Sequence, residues 1–394
     1  MVALALPLAP NPKRIMHSIG FLAVKNTRII SATIVASFIL LIPLATHNAS
    51  AVQSQTLQPR LPKVMTYNIY QGTELLDVIA ATTPTQFVLA VSTDYGHQVA
   101  NNFPERAQAI ASEIVATGPD LVGLQEVALW RTGPHTSPPT PATTVTFDYL
   151  QILLNALTGQ GASYSVLVLR NNFDVQGPGL FSTGLLDVRL TDRSAILVRT
   201  ADLNIQGLTF TNKQSQDYTT NTVISTLAGP VTLLGGFESL DVTVFGLTIA
   251  RFISTHLDGF SQTVRDAQAQ QLINGPINTK LPVIMSGDLN ASPGTSTYNL
   301  FTTAQLTDSW TLVNPNDPGL TCCQVLQNGV TVDVINNPTS FLATRVDMVF
   351  TKSIIQATAA VLVGAEPSTR TPSGLWPSDH AGLVVTLGFA QQDS

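Results

Sequence analysis

Five short apolar segments each end on, or run straight into, a polar side chain, and this layout limits the fold more than any other feature. They are MTYNIYQG with Asn68, LVGLQEV with Glu126, FISTHLD with His256, VIMSGDLN with Asp288 and Asn290, and WPSDHAG with Asp379 and His380. A further segment, TRVDMVF, carries Asp347 inside its apolar run. Strand ends deliver side chains to a common rim, the usual place for an α/β active site. Carboxylates beside apolar strands are costly to bury unpaired. A hard cation such as Mg²⁺ removes that cost, because it takes oxygen ligands from carboxylates and amides. Asn68, Glu126 and Asp379 offer such ligands from three separate strands.

The stretches between these segments mix strands and helices. Lys63–Ile69 alternates and predicts a strand, whereas residues 72–102 show no period and predict a long surface excursion. Ala107, Ile110, Ala111, Ile114 and Val115 define one apolar helix face, which Gly118 and Pro119 end. Leu121–Glu126 predicts a short buried strand. Residues 131–145 predict a Pro/Thr-rich loop, followed by a helix near 147–157. Residues 163–256 are β-rich, with NNFDVQGPG and TNKQSQDYTTN expected as turns and loops. A helix near 263–273 leads to the strand Pro282–Asp288. ATRVDMVFT, QATAAVLVG and AGLVVTLGF supply the last strands. With 44% hydrophobic and 11% charged residues, the chain has ample core. No long linker follows residue 60, so one α/β domain with sheets inside and helices outside is expected.

Residues 1–51 are expected to be an export signal, with residues 52–60 a short segment before a domain over 61–394. Lys13, Arg14, Lys25 and Arg28 precede an apolar run from Ile29 to Ala45, and Ala49-Ser50-Ala51 offers the small-x-small cleavage pattern. The mature protein is therefore expected to be secreted or periplasmic, cleaved near Ala51. An uncleaved anchor is the other reading, at the short end for a span and broken by Pro43. Removing the leader leaves 15 of the 19 Lys+Arg against 25 Asp+Glu, a net charge of −10. A broad basic footprint for nucleic acid is absent. A bound cation supplies positive charge locally, so a nuclease is not excluded. The only cysteines, Cys322 and Cys323, are adjacent. Neighbouring residues fit disulfide geometry poorly, so local packing is expected of them.

Six segments, TYNIYQG, PDLVGLQEV, STHLDG, SGDLNASP, TRVDMVF and SDHAGLVV, occur in the order that marks the endonuclease/exonuclease/phosphatase superfamily. The chain resembles that superfamily from Lys63 to Leu387. The resemblance implies a four-layer α/β (α+β) sandwich: two facing, mainly antiparallel β-sheets flanked by helices. It implies that Asn68 and Glu126 are metal ligands, with Asp379 a further metal-side carboxylate. Asp288 resembles the residue that orients or deprotonates the attacking water, and Asn290 its partner on phosphate or nucleophile. His380 resembles the general acid/base, with Asp347 its orienting carboxylate. His256 resembles a second histidine on the scissile phosphate, which places the chain nearer the deoxyribonuclease, sphingomyelinase and 5-phosphatase branches than the apurinic endonucleases. Arg193 is expected as a phosphate ligand. Glu74 lies beyond the position where some relatives carry an acid, and is not counted.

The expected activity is divalent-metal-dependent hydrolysis of a phosphodiester or phosphomonoester. Mg²⁺ is the expected ion, with Mn²⁺ or Ca²⁺ as alternatives. The substrate is left open among nucleic acid, phospholipid and small molecule. A non-specific nuclease competes with a sphingomyelinase or phospholipase C-like enzyme. A non-catalytic binding protein and a Ca²⁺-stabilised structural domain are the rival classes. No stable protein partner is inferred, and a monomer is expected.

Overall fold

The computed structural model describes residues 60–202, 207–327 and 330–390, all within the compact unit Leu57–Ser394. The expected leader over 1–51 and nearly all of the 52–60 segment lie outside the described residues.

The chain opens with β1 (Val64–Asn68), buried along its whole length. Two helices follow, α1 (Leu76–Ala80) and α2 (Pro84–Ala100), so the aperiodic excursion expected over 72–102 is corrected. Thr83 and Gln86 cap α2 reciprocally, with Pro84 in its first turn. The buried face of α2 is Phe87, Ala90, Val91, Asp94 and Gln98. Two polar residues on that face interrupt the apolar period. Next come α3 (Phe103–Thr117), closed by Gly118 at φ 58°, and β2 (Leu121–Gln125). The loop expected over 131–145 is partly strand, because β3 (Leu129–Pro134) pairs with β4 (Thr144–Asp148). After α4 (Tyr149–Gly159) run two long strands, β5 (Tyr164–Phe181) and β6 (Gly184–Arg199). NNFDVQGPG lies inside β5, and most of TNKQSQDYTTN lies in β7 (Leu208–Asp217). The polarity of β7 reflects its exposure, since it pairs with the sheet on one side only.

A small hairpin, β8 (Thr222–Thr226) and β9 (Gly229–Leu233), leads to β10 (Gly236–Val244) and β11 (Leu247–His256). Then come α5 (Gln262–Asn274), β12 (Val283–Asp288), α6 (Ser296–Thr303), β13 (Thr307–Asp308) and α7 (Ser309–Val313). A second small hairpin, β14 (Leu326–Gln327) and β15 (Val330–Thr331), precedes β16 (Asp347–Lys352), β17 (Ile355–Val363) and β18 (Gly382–Phe389).

The strands form two main sheets. The first runs β17-β18-β1-β2-β6-β3-β4, with β5 also on β6; the second runs β13-β16-β12-β11-β10-β7. Among the described residues, only β1–β2 and β11–β12 pair in parallel. Helices bridge both, as parallel neighbours require. Val64, Leu121, Ile196, Leu240, Phe252, Ile284 and Leu383 fill the space between the sheets. Phe103, Ile110, Tyr149 and Leu153 cover the outer face of the first sheet. Leu272, Phe301, Met285 and Phe350 do the same for the second. Each such side chain contributes roughly 1.5–3 kcal/mol by burial. The result is the expected four-layer sandwich. No helix among the described residues is long and apolar enough to cross a membrane.

At one end the packing between the sheets turns polar. Thr66 donates to Gln125 at 3.2 Å, and Gln125 reaches Ser254 at 3.5 Å. Gly123 permits a close approach of the sheets here, because a Cβ there would lie 2.6 Å from Ser254 Oγ and 3.2 Å from Ser286 Oγ.

Candidate active site

Strand register assembles the polar end. In the second sheet, His256 pairs with Asp288 across β11–β12, and Asp288 pairs with Asp347 across β12–β16. The three therefore form one row. In the first sheet, Asn68 pairs with Gln125, one residue before Glu126. Glu126 takes a left-handed conformation, φ 57°, as the chain turns away. Asn68 joins the two sheets: its Nδ2 donates to Glu126 Oε1 at 2.9 Å and to Asp288 Oδ2 at 3.1 Å. Its Oδ1 accepts from the Tyr70 N–H at 3.0 Å, leaving one lone pair for a cation. Ser378 donates to the Asn68 carbonyl at 2.7 Å, which draws Asp379 and His380 to the same place.

Arg106, wholly buried, holds these segments from behind. It donates to the carbonyls of Ile69, Tyr70, Asn101 and Pro377. Its position on an ordinary helix pattern gave no sign of this.

The two sides of the cleft differ in electrostatics. His380 Nδ1 lies 2.7 Å from Asp347 Oδ2, and its Nε2 lies 3.8 Å from both Asp288 Oδ2 and Asp379 Oδ2. Burial pulls the imidazole pKa down, but Asp347, Asp379 and Asp288 outweigh it and hold the ring well above its ordinary value. Burial alone would raise Asp288. His380, His256, the Asn290 amide and Asn68 instead keep it below the usual carboxylate range. His256 Nε2 is 3.4 Å from Asp288 Oδ2 and 3.2 Å from Asn290 Nδ2. Asn290, at φ 47°, donates its backbone N–H to Asp288 Oδ1 at 2.9 Å.

Opposite lie Glu74, Glu126 and Asp379. Burial raises Asp379 to about 7, with Glu126 and Asp288 adding to the rise and His380 and Arg106 opposing it. Glu74 is also raised, first by burial and then by Asp379, Glu126 and Asp333. Glu126 adds to the rise at both Asp379 and Glu74, and crowded carboxylate oxygens of this kind are the donors a hard divalent cation takes. The residues present fit such an ion. Glu74 had no motif around it in the sequence; only the fold brings it here.

A cleft of about 350 Å³ opens over this floor. It is lined by Glu74, Glu126, His256, Asp288, Asn290, Asp379 and His380, and also by Asn172 and Asp192. Burial pushes Asp192 up to about 6, with Glu126 adding to it, and Asn172 donates to its carboxylate. Asn172 lay in a stretch read as a turn, which hid it.

Two expectations are corrected. Arg193 is not on the cleft. It is buried, and it donates to the carbonyls of Val127 and Ala128 and to Asp148 Oδ1. Its guanidinium fixes the turn after β2, and the strand's alternation turns Asp192 to the cleft instead. Cys322 and Cys323 are bonded to each other rather than merely packed. A bridge between Cys322 and Thr344 pins their loop, and it sets Cys323 Sγ 3.8 Å from His380 Nε2.

The endonuclease/exonuclease/phosphatase family model matches residues 65–380. Among solved structures, a mannosyl-6-phosphatase of Bacteroides thetaiotaomicron is 17% identical, with a TM-score of 0.51 over 84% of this chain and 100% of that one. An endonuclease/exonuclease/phosphatase family protein of the same organism is also 17% identical, with a TM-score of 0.53 over 85% and 100%. A Bacteroides vulgatus protein with that description is 14% identical, with a TM-score of 0.50 over 83% and 98%. These likenesses are of fold. No curated protein is significantly similar in sequence.

Proposed function

The chain belongs to the endonuclease/exonuclease/phosphatase family, and from that premise we propose that it hydrolyses phosphate esters in the cleft where the two sheets meet. One observation carries this reading: the His256–Asp288–Asp347 row and His380 face the Glu74, Glu126 and Asp379 carboxylates across Asn68. A phosphate ester needs its charge neutralised, a water aligned and its leaving oxygen protonated.

Glu126, Asp379 and Glu74, with the remaining lone pair of Asn68, would hold a divalent ion. The ion, when bound, supplies positive charge against the phosphate. The all-oxygen donor set favours Mg²⁺, or Mn²⁺ or Ca²⁺ in its place. Asp288, kept anionic by its histidine neighbours, orients the attacking water and accepts its proton. His380, kept protonated by three carboxylates, gives a proton to the leaving oxygen, while Asp347 fixes the ring. Such help is worth roughly 10²–10⁴-fold. His256 and Asn290 contact the phosphate oxygens.

The test is hydrolysis of bis-p-nitrophenyl phosphate with Mg²⁺, with EDTA, and by a His380→Ala variant. Turnover is expected to collapse in both altered conditions. Turnover indifferent to both would overturn the mechanism.

A second observation bears on the substrate. An apolar recess of about 110 Å³, lined by Val78, Phe87, Val91, Trp130 and Leu190, shares Leu75, Ile79, Phe173 and Leu233 with the cleft. It suits an ester bearing an apolar group, as in a lipid phosphodiester, better than a polynucleotide. The acidic balance of the chain agrees. Sphingomyelin and phosphatidylcholine should be cleaved faster than DNA or RNA; the reverse order would sink this reading.

A further inference from the structure

Three side chains behind the segment that carries Glu74 have no part in the proposed hydrolysis. Asp94 and His97 lie one turn apart on α2, and Asp333 faces them from the loop after β15. His97 Nδ1 is 3.3 Å from Asp333 Oδ2 and 4.0 Å from Asp94 Oδ1. We propose that Asp94, His97 and Asp333 form a second metal site, selective for a borderline divalent ion such as Zn²⁺ rather than for Mg²⁺.

The i,i+3 spacing puts two ligands on one helix face. Asp94 is 3% exposed, yet its Oδ2 has no hydrogen-bond partner, and neither does the buried Nδ1 of His97. Burial, opposed by Thr73 and the Val78 amide, pushes the Asp94 carboxyl up to about 7. Thr73 Oγ lies 3.1 Å from Asp94 Oδ1 and 2.9 Å from Asp333 Oδ1, so one hydroxyl proton is shared between two carboxylates. The cluster has more acceptors than donors, and buried acceptors left in that state are costly. A cation corrects the imbalance.

The distances are near those a metal would set. Zinc bonds of about 2.0–2.2 Å place tetrahedral ligands roughly 3.4 Å apart. The His97–Asp333 separation matches, and the His97–Asp94 separation needs only a small side-chain shift. One imidazole with two carboxylates suits Zn²⁺, whereas Mg²⁺ prefers oxygen alone.

The site would reach the cleft through its second bonds. Asp333 Oδ1 also accepts from the Glu74 N–H at 2.6 Å. The Asp333 carbonyl accepts from Tyr70 OH and Asn101 Nδ2, each at 2.8 Å. An ion here would tie α2 and the Asp333 loop to the segment that carries Glu74 into the cleft. It positions that segment and takes no part in the chemistry.

The test is calorimetric titration of the purified protein with ZnCl₂ in excess Mg²⁺. A zinc equivalent should bind, weaken at least tenfold in His97→Gln, and persist in Glu126→Gln. Co²⁺ in its place should give a visible absorption band that His97→Gln abolishes. If His97→Gln fails to fold, Asp94→Asn replaces it, with circular dichroism as the check. Zinc binding that is absent, that vanishes in Glu126→Gln, or that is unchanged in the folded α2 variant would overturn the proposal. In each case His97 would be an ion-paired histidine only. Turnover is not the readout, so the proposed hydrolysis stands or falls separately.

Discussion

Replacing Asp347 by Asn isolates what one carboxylate does for His380. The two meet at 2.7 Å with Asp347 wholly buried. Its other oxygen has no partner, and its backbone N–H bond to Thr321 at 3.1 Å survives the change. The substitution therefore removes a single charge-assisted bond and little else. Such a bond is worth roughly 1.5–3 kcal/mol. At about 1.4 kcal/mol per decade, kcat/KM should fall about 10- to 150-fold. His380→Ala removes the acid itself and should cost roughly 10²–10⁴-fold. Because Asp347 acts through His380, the double variant should be no worse than His380→Ala alone. The assay is kcat/KM for bis-p-nitrophenyl phosphate with Mg²⁺, with thermal melting to confirm folding. Losses that multiply in the double variant would refute the reasoning, as would an unchanged Asp347→Asn rate.

Three other outcomes can be checked on the same protein. Glu113 accepts from Tyr67 OH at 3.0 Å, and burial pushes its carboxyl to about 8 from 4.5. A carboxyl raised on folding favours the native state below its unfolded pKa and loses that contribution as pH climbs to the folded value. Glu113→Gln should therefore match the parent near pH 4 and exceed its stability by up to ~4 kcal/mol around pH 9 in urea titrations; a gap that does not grow with pH would contradict this. Arg193→Ala should lose about 1–3 kcal/mol of stability, because it leaves the Val127 carbonyl without its partner and takes one bond each from Ala128 and Asp148; a raised KM at unchanged Tm would restore it as a phosphate ligand. Gly123→Ala should cost about 1–3 kcal/mol by pushing a methyl into Ser254, and Ser254→Ala should partly rescue it in melting experiments.

The cleft floor was legible because strand ends are legible. Asn68, Glu126, His256 and Asp288 each follow a run whose apolar pattern marks a buried strand, and register does the rest; His380 instead precedes β18, in a loop that Ser378 ties to Asn68. What escaped was polar burial. Asp94 and Gln98 sit on the inner face of α2 and broke the period that would have revealed the helix. Arg106 carried no motif, although four carbonyls converge on it. Asn172 looked like loop for the same reason, whereas β7 did so because it is polar and exposed along its length. Arg193 was placed one residue from the truth, since in a strand its neighbour Asp192 faces the other way.

The junction at Asn68 has a consequence for how the molecule comes into being. Neither sheet holds a working set of groups: the carboxylates at Glu74 and Glu126 belong to the first, and the row at Asp288 to the second. The bonded atoms of Asn68 and Asp288 come from residues 220 positions apart, so closing that bond belongs among the slow, non-local steps of assembly. Turnover in a refolding chain should therefore lag behind the recovery of β-sheet signal. The enzyme's activity would report the docking of its two sheets more directly than any measure of their separate formation.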